Sequence, residues 1–140
     1  MALAKRSVFI VSDRTGLTAE ELAQTLLTQF PQVHFMTTVL PFVDSDHKLN
    51  EAISQINMIQ EADGSRPIVF VTFVNADYRK RIEQADALVI DVFSSFLGIL
   101  SREMNLMPSW QAGFSHGVVD QGRYNSRIDA IHFAVVCDDG

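Results

Sequence analysis

The chain alternates short apolar runs with longer segments in which apolar residues recur every three or four positions. The short runs are rich in β-branched and aromatic residues, which favours strands. Four strands are predicted, over residues 8–11, 33–39, 67–73 and 87–92. Because these runs are apolar almost throughout, both faces of each strand are expected to be covered. The pattern therefore predicts an α/β fold, a mostly parallel sheet flanked by helices in a Rossmann-like three-layer arrangement.

The longer segments have helical periodicity. Thr18 and Glu21 match the S/T-x-x-E capping box, so the first helix is predicted to begin at Thr18. Its apolar stripe is Leu22, Leu26 and Phe30. Further helices are predicted after Asp46 (stripe Leu49, Ile53, Ile56, Ile59), over 78–85, over 93–104, and from Ser126 (stripe Ile128, Ile131, Val135). The Pro, Gly and polar residues of 105–123 predict an extended loop.

Composition narrows the class of protein. With 140 residues, 47% of them hydrophobic, the chain fits one globular domain. The net charge of −6 opposes electrostatic binding of nucleic acid or anionic lipid, and the basic run 79–81 is interpreted as the solvated face of a short helix. No apolar stretch reaches the ~18 residues of a membrane span, and no signal peptide is visible. The single cysteine, Cys137, excludes an internal disulfide, so a cytoplasmic protein is expected.

Most motifs of catalytic chemistry are missing from the sequence. It contains neither the G-x-x-x-x-G-K-[ST] phosphate loop nor the G-x-G-x-x-G dinucleotide turn. The four histidines and Cys137 lack the spacing of a metal site, so no metal site is predicted. The string Gly113-Phe114-Ser115-His116-Gly117 matches the G-x-S-x-G nucleophile elbow, which requires a strand before it and a helix after it. Residues 108–111 make a poor strand, so a loop is the preferred interpretation.

The turn between the first strand and the first helix is a candidate anion site. If residues 8–11 form a central strand, this turn lies at the carboxyl edge of the sheet, where open α/β folds bind ligands. Backbone N–H groups at the helix start and the side chains of Ser12, Arg14 and Thr15 can donate to an anion, whereas Asp13 repels one. A structural turn therefore remains the alternative. The candidate residues are Ser12, Asp13, Thr15, Gly16 and Thr18.

Two carboxylates close the sequence. Asp138 and Asp139 follow the last predicted helix, where they face the negative end of its dipole at a cost of about 0.3–1 kcal/mol each. Unfavourable local features often occur at functional sites. Asp138 and Asp139 are therefore candidate catalytic residues, with simple solvation as the alternative.

Several blocks of the sequence resemble one family, the phosphoenolpyruvate synthase regulatory proteins, which belong with the pyruvate, phosphate dikinase regulators. The resemblance covers nearly the whole chain in the right order. Glu103-Met104 before Pro108, and Ser115-His116-Gly117, are closer to the synthase branch. The matching blocks are Ser12-Asp13-x-Thr15-Gly16-x-Thr18-Ala19-Glu20, Gln29-Phe30-Pro31, Pro41-Phe42-Val43, Arg66-Pro67-Ile68-Val69-Phe70, Tyr124-x-x-Arg127-Ile128-x-Ala130-Ile131 and Asp138-Asp139-Gly140. The chain departs from the family at Arg14, where many members have a smaller residue, and at Cys137, which is often histidine.

The resemblance implies a bifunctional enzyme. Members use ADP to phosphorylate a threonine of phosphoenolpyruvate synthase, which inactivates it, and remove that phosphate with inorganic phosphate, which releases pyrophosphate. Magnesium is a further cofactor consistent with this chemistry. Arg127, in the last long block, joins the candidates for binding an anion or the substrate.

The resemblance also bears on domain organisation. The family's nucleotide-binding loop follows the Asp-Asp-Gly motif, so residues 1–140 are expected to be the N-terminal α/β domain of a longer protein whose kinase domain comes after residue 140. A homodimer is left open. The alternative is a non-catalytic domain that senses an anion or docks the target enzyme.

Overall fold

A computed structural model describes residues 4–63 and 65–109 as a parallel sheet with helices on both faces. The strands are β1 (Ala4–Ser12), β2 (Val33–Leu40), β3 (Ile68–Thr72) and β4 (Leu88–Asp91). The helices are α1 (Leu17–Leu27), α2 (Asp46–Asp63), α3 (Ala76–Ile82) and α4 (Val92–Met104). The predicted three-layer α/β fold is confirmed, and the strand and helix positions agree closely with the apolar runs from which they were predicted.

The order of the strands places a topological switch point at one edge of the sheet. The order is β2-β1-β3-β4, and every neighbouring pair is parallel. The chain passes from β1 to β2 in one direction and then crosses back to β3 on the other side of β1. In open α/β sheets, ligands bind outside the carboxyl ends of the strands at such a switch point. Here that point lies between Ser12 of β1 and Thr72 of β3, which are partners in the register.

Two apolar clusters, one on each face of the sheet, form the core. Alternate residues of the central strand β1 point to opposite faces. Phe9 and Val11 pack in the cluster covered by α2 and α3, whereas Val8 and Ile10 pack in the cluster covered by α1 and α4. This arrangement confirms the expectation that the strands are covered on both faces for the central strands β1 and β3. It is wrong for β2, an edge strand on which His34, Met36, Thr37 and Thr38 are exposed.

The start of α1 corrects one prediction. The helix begins at Leu17, and Gly16 is its N-cap with a φ of 79° and no side-chain cap. Thr18 is the second residue of the helix, so the predicted capping box of Thr18 and Glu21 is wrong. The left-handed conformation of Gly16 starts the helix one residue before the position that the capping box indicated.

The buried face of α1 also differs from the predicted stripe. Ala19 and Ala23 are buried, whereas Leu26 keeps 45% of its surface exposed and Phe30, beyond the end of the helix, 54%. Small side chains bring a helix axis close to a sheet, and Leu22 packs only partly against this cluster. The larger apolar residues are therefore left at the margin of the contact.

We expect Gly16→Ala to lower the free energy of unfolding by about 1–2 kcal/mol, because an alanine is strained at positive φ. A Cβ at position 16 would lie at least 3.6 Å from every neighbouring atom, so the cost comes from the backbone and not from a clash. Gly98→Ala in α4 is the control, and it should stabilise by about 0.5–1 kcal/mol. Urea unfolding measures both. Equal effects of the two variants would contradict the prediction.

The basic run 79–81 is partly used within the fold. Arg81 of α3 donates to Asp46 at 2.9 Å and to Asn50 at 2.8 Å, both on α2. The hydrogen bond with Asp46 is the largest influence on the pKa of Arg81, which is raised above its ordinary value. Arg81 therefore links α3 to α2.

Several predictions lie outside the described residues. These are the loop over 105–123 beyond residue 109, the Gly113–Gly117 motif, and the helix from Ser126. None of the helices in the described ranges combines the length and the apolar character needed to cross a membrane.

Candidate functional site

The loop of residues 12–16 lies at the switch point of the sheet and is held there by backbone hydrogen bonds. The N–H of Val43 donates to the Ser12 carbonyl at 2.8 Å, and the N–H of Phe42 donates to the Arg14 carbonyl at 2.8 Å. The loop after β1 and the segment after β2 therefore run side by side along the carboxyl edge.

Side chains of the loop also make structural bonds. The Ser12 hydroxyl accepts from the Arg14 N–H at 3.0 Å, and the Thr15 hydroxyl accepts from the Leu17 N–H at 3.3 Å. A carboxylate oxygen of Asp13 accepts from the Val74 N–H at 3.1 Å. Asp13 thus ties the loop to the chain that follows β3, which gives a structural reason for a carboxylate here. The Ser12 hydroxyl in turn donates to the Thr72 carbonyl at 3.5 Å.

The helix that starts at this loop differs from the other three. Ser45 caps α2 by accepting from the Lys48 N–H at 3.2 Å, Asn75 caps α3, and Asp91 caps α4. In α1 the N-cap is Gly16, which has no side chain to offer. The N–H groups of a first turn need acceptors, and together with the helix dipole they favour an anion.

Thr72 adds a buried hydroxyl at the same place. Ser12 and Thr72 are both fully buried and lie opposite each other in the register of β1 and β3. Within the described part of the chain the Thr72 hydroxyl has no hydrogen-bond partner. An unsatisfied buried hydroxyl costs about 1–3 kcal/mol, and in a native protein it calls for an explanation such as a bound water or ion.

Sequence reasoning did not single out Thr72. The signal was nevertheless present, because Thr72 is the only polar residue among 67–73 and it lies one residue before the end of that run. Its significance comes from its pairing with Ser12, which depends on the strand order.

Phe42 forms part of the rim of the site. Its φ of 56° lies in the left-handed region, which is uncommon for a bulky residue, and 52% of the surface of the residue is exposed. The Lys48 ammonium donates to the Phe42 carbonyl at 3.3 Å and pairs with Asp44 at 3.1 Å. An exposed aromatic ring on a strained backbone beside the loop is a feature that often accompanies binding sites.

The structure brings together the N-terminal group of predicted site residues and leaves the others untested. Ser12, Asp13, Thr15 and Gly16 form the loop, and Thr18 lies in the first turn of α1. Arg127, Asp138 and Asp139 lie outside the described residues. Across residues 4–63 and 65–109, no three His, Cys, Asp or Glu residues come close enough to hold a metal ion.

The fold defines a class: an open α/β domain with a parallel sheet, in which the loop of residues 12–16 lies at the switch point. Sequence comparison gives the family. A model of the kinase/pyrophosphorylase family matches residues 8–140, so the chain belongs to that family.

Three relatives of the chain carry the provisional name phosphoenolpyruvate synthase regulatory protein. The chain is 43% identical over 136 residues to the relative from Marinobacter nauticus and 44% identical over 140 residues to that from Alkalilimnicola ehrlichii. It is 41% identical over 136 residues to a relative from Pseudomonas aeruginosa. These matches cover 97%, 100% and 97% of the chain but 50%, 51% and 50% of the relatives. The chain therefore spans about half the length of the curated relatives it matches.

Proposed function

We propose that this chain is the N-terminal domain of a bifunctional regulator of phosphoenolpyruvate synthase. In this proposal the whole protein phosphorylates a threonine of the synthase with ADP as phosphate donor, and removes the phosphate with inorganic phosphate to give pyrophosphate. Membership of the kinase/pyrophosphorylase family and the names of the relatives support it. The proposed setting is the cytoplasm, and the protein acts alone or as a homodimer.

Within that protein, the proposed role of residues 12–16 is to hold an anionic phosphate group. The main observation behind this proposal is that the Thr72 hydroxyl has no hydrogen-bond partner in the described part of the chain. This hydroxyl lies at the switch point, beside Ser12 and the glycine-capped start of α1. A phosphate bound there would accept from N–H groups of the first turn and from the hydroxyls of Thr15 and Thr72. Both proposed reactions need a phosphate group positioned for transfer, and neither needs covalent chemistry from this loop.

Other parts of the proposed machinery lie elsewhere in the protein. Residues 1–140 contain no phosphate-loop motif, so we place the loop that binds ADP, with any magnesium, beyond residue 140. Asp138 and Asp139 remain the proposed catalytic carboxylates and Arg127 a proposed contact of the anion or the substrate. They precede that loop in the chain.

The anion site can be tested on the 140-residue chain by titration with inorganic phosphate and with pyrophosphate, followed by amide chemical shifts. We expect the largest shifts at residues 13–18, and a loss of about tenfold in affinity for Thr15→Ala, since a hydrogen bond to a charged group is worth about 1.5–3 kcal/mol. The matched control is Thr25→Ala, a threonine near the other end of α1 whose hydroxyl donates to the Glu21 carbonyl. It should bind as the unmodified chain does.

Two outcomes would contradict the anion site. The first is an absence of shifts at residues 13–18 with either anion, and the second is unchanged affinity in Thr15→Ala. In either case the loop only turns the chain. If the anions bind but the kinase and pyrophosphate-forming activities of the whole protein survive Thr15→Ala unchanged, the alternative of a non-catalytic anion-sensing or docking domain is favoured.

The 140-residue chain by itself should show no kinase activity, because it lacks a phosphate-loop motif to position the donor. Incubation with phosphoenolpyruvate synthase and ADP, followed by mass spectrometry of the synthase, measures this. The whole protein, at twice this length, is the positive control. Phosphothreonine formed by the short chain would place the donor site within residues 1–140 and contradict the proposal.

A further inference from the structure

Arg14 is a cation in the candidate anion site whose charged group is not used by the fold. Its backbone holds the loop, because its N–H donates to the Ser12 hydroxyl at 3.0 Å and its carbonyl accepts from the Phe42 N–H at 2.8 Å. Within residues 4–63 and 65–109, the Arg14 guanidinium makes neither a hydrogen bond nor an ion pair. The backbone of Arg14 is therefore fixed, while its five side-chain N–H donors remain available to a ligand.

A second cation beside this loop, Lys48, is paired within the fold. Its ammonium lies 3.1 Å from a carboxylate oxygen of Asp44 and donates to the Phe42 carbonyl at 3.3 Å. The backbone of Phe42 thus contacts both Lys48 and Arg14, yet in the part of the chain that the structure describes only Lys48 has a carboxylate partner. This difference makes Arg14 the better candidate for contact with an anion.

The other charges around the loop oppose an anion. The chain carries a net charge of −6, and Asp13 lies within the loop, where a carboxylate oxygen accepts from the Val74 N–H at 3.1 Å. Each further negative charge on a ligand is therefore more unfavourable here unless a cation lies close to it. A ligand with two phosphates needs such a cation more than inorganic phosphate does.

Arg14 and Thr72 approach the site from different sides of β1. This strand lies between β2 and β3, so the ends of β2 and β3 are roughly 10 Å apart. Thr72 ends β3, and it shares a face with Phe70, which packs in the cluster covered by α1. Arg14 is joined through Phe42 to the chain after β2. A phosphate bound beside Thr72 therefore lies across the end of β1 from the contact between Arg14 and Phe42.

We infer that Arg14 binds the second phosphate of a diphosphate and makes the candidate anion site selective for pyrophosphate over inorganic phosphate. The first phosphate accepts from the first turn of α1 and from Thr15 and Thr72, as in the proposed function, on which this inference rests. Residue 14 is at most about 7 Å from Gly16 at the helix start. The planar guanidinium can donate two parallel hydrogen bonds to one phosphate, so Arg14 is a specificity-determining residue.

Titration of the 140-residue chain with inorganic phosphate and with pyrophosphate, at constant ionic strength, tests the inference through the amide chemical shifts of residues 13–18. The unmodified chain should bind pyrophosphate about tenfold more tightly than phosphate, as an added hydrogen bond to a charged group implies. Arg14→Gln should lose about tenfold in affinity for pyrophosphate and less than about twofold for phosphate. Arg14→Lys keeps the charge without the planar fork and should give an intermediate loss.

The matched control is Arg102→Gln, which removes the same charge from the exposed last turn of α4, at the end of that helix away from the candidate anion site. It should bind both anions as the unmodified chain does. Methyl diphosphate distinguishes two sources of the same chemistry. Binding as tight as that of pyrophosphate assigns the site to diphosphate esters as well, and weaker binding assigns it to the free ion; both results agree with the role of Arg14.

Two results would overturn the inference and leave the anion site in place. The first is equal affinity of the unmodified chain for phosphate and pyrophosphate. The second is an equal loss for both anions in Arg14→Gln, which would mean that Arg14 contacts the first phosphate or attracts anions generally. In both cases the shifts at residues 13–18 persist. An absence of shifts with either anion contradicts the anion site itself and the inference with it.

Discussion

Replacing Thr72 by valine is expected to stabilise the domain and to impair the whole protein. Valine keeps the shape of threonine and removes a buried hydroxyl that has no partner in the described structure. Removal of that unsatisfied group should raise the free energy of unfolding by about 1 kcal/mol, or about 3 °C in Tm for a domain of this size. If Thr72 donates to a phosphate during transfer, the kinase rate should fall by about 100-fold, the usual effect of losing one donor at a charged group.

The two readouts must be taken on the same variant. A rise in Tm together with a loss of the kinase and pyrophosphate-forming activities supports a role of the Thr72 hydroxyl in binding a ligand. A rise in Tm with full activity would show that Thr72 has no such role. The control is Thr37→Val on β2, an exposed threonine away from the switch point, which should leave the activity unchanged. A fall in Tm for Thr72→Val would show that the hydroxyl has a partner after all.

The fold could be predicted largely from sequence because its two central strands, β1 and β3, share one pattern. The runs around Val8 and Val69 are apolar on both sides of the pleat, and a central parallel strand is the structure that buries both sides. The first residue of α1 was harder to predict from sequence. Gly16 and Thr18 are both acceptable starts for α1, and only the backbone conformation of Gly16 decides between them.

The sequence predicted where the candidate anion site lies but did not identify all of its residues. A turn after the first strand of an α/β domain lies at the carboxyl edge whatever the order of the other strands, so the placement of Ser12 and Thr15 followed from local pattern. Thr72 is 60 residues away from Ser12 in sequence, and the two meet only because β3 pairs with β1. Asp13 and Val74 are 61 residues apart in sequence, which explains why local reasoning interpreted the Asp13 charge as an obstacle to an anion and missed its contact with the chain after β3.

Replacing Phe73 by alanine is expected to cost the domain about 3–5 kcal/mol, the usual cost of truncating a buried phenylalanine. Phe73 is fully buried next to Thr72 and packs edge-on against Tyr78, with the ring centroids 5.7 Å apart. It therefore joins the end of β3 to α3, at the place where Asp13 accepts from Val74. A loss of this size is a large part of the stability of a small domain, about 5–15 kcal/mol.

Urea unfolding followed by circular dichroism measures the change. Met58→Ala on the exposed side of α2 is the control, and it should alter the free energy of unfolding by less than about 0.5 kcal/mol. Because Phe73 also fixes the chain that carries Val74, the variant should lose affinity for phosphate at residues 13–18 even at temperatures where it remains folded. Phosphate binding equal to that of the unmodified chain, at a temperature where Phe73→Ala is folded, would show that the loop of residues 12–16 is positioned without help from the end of β3.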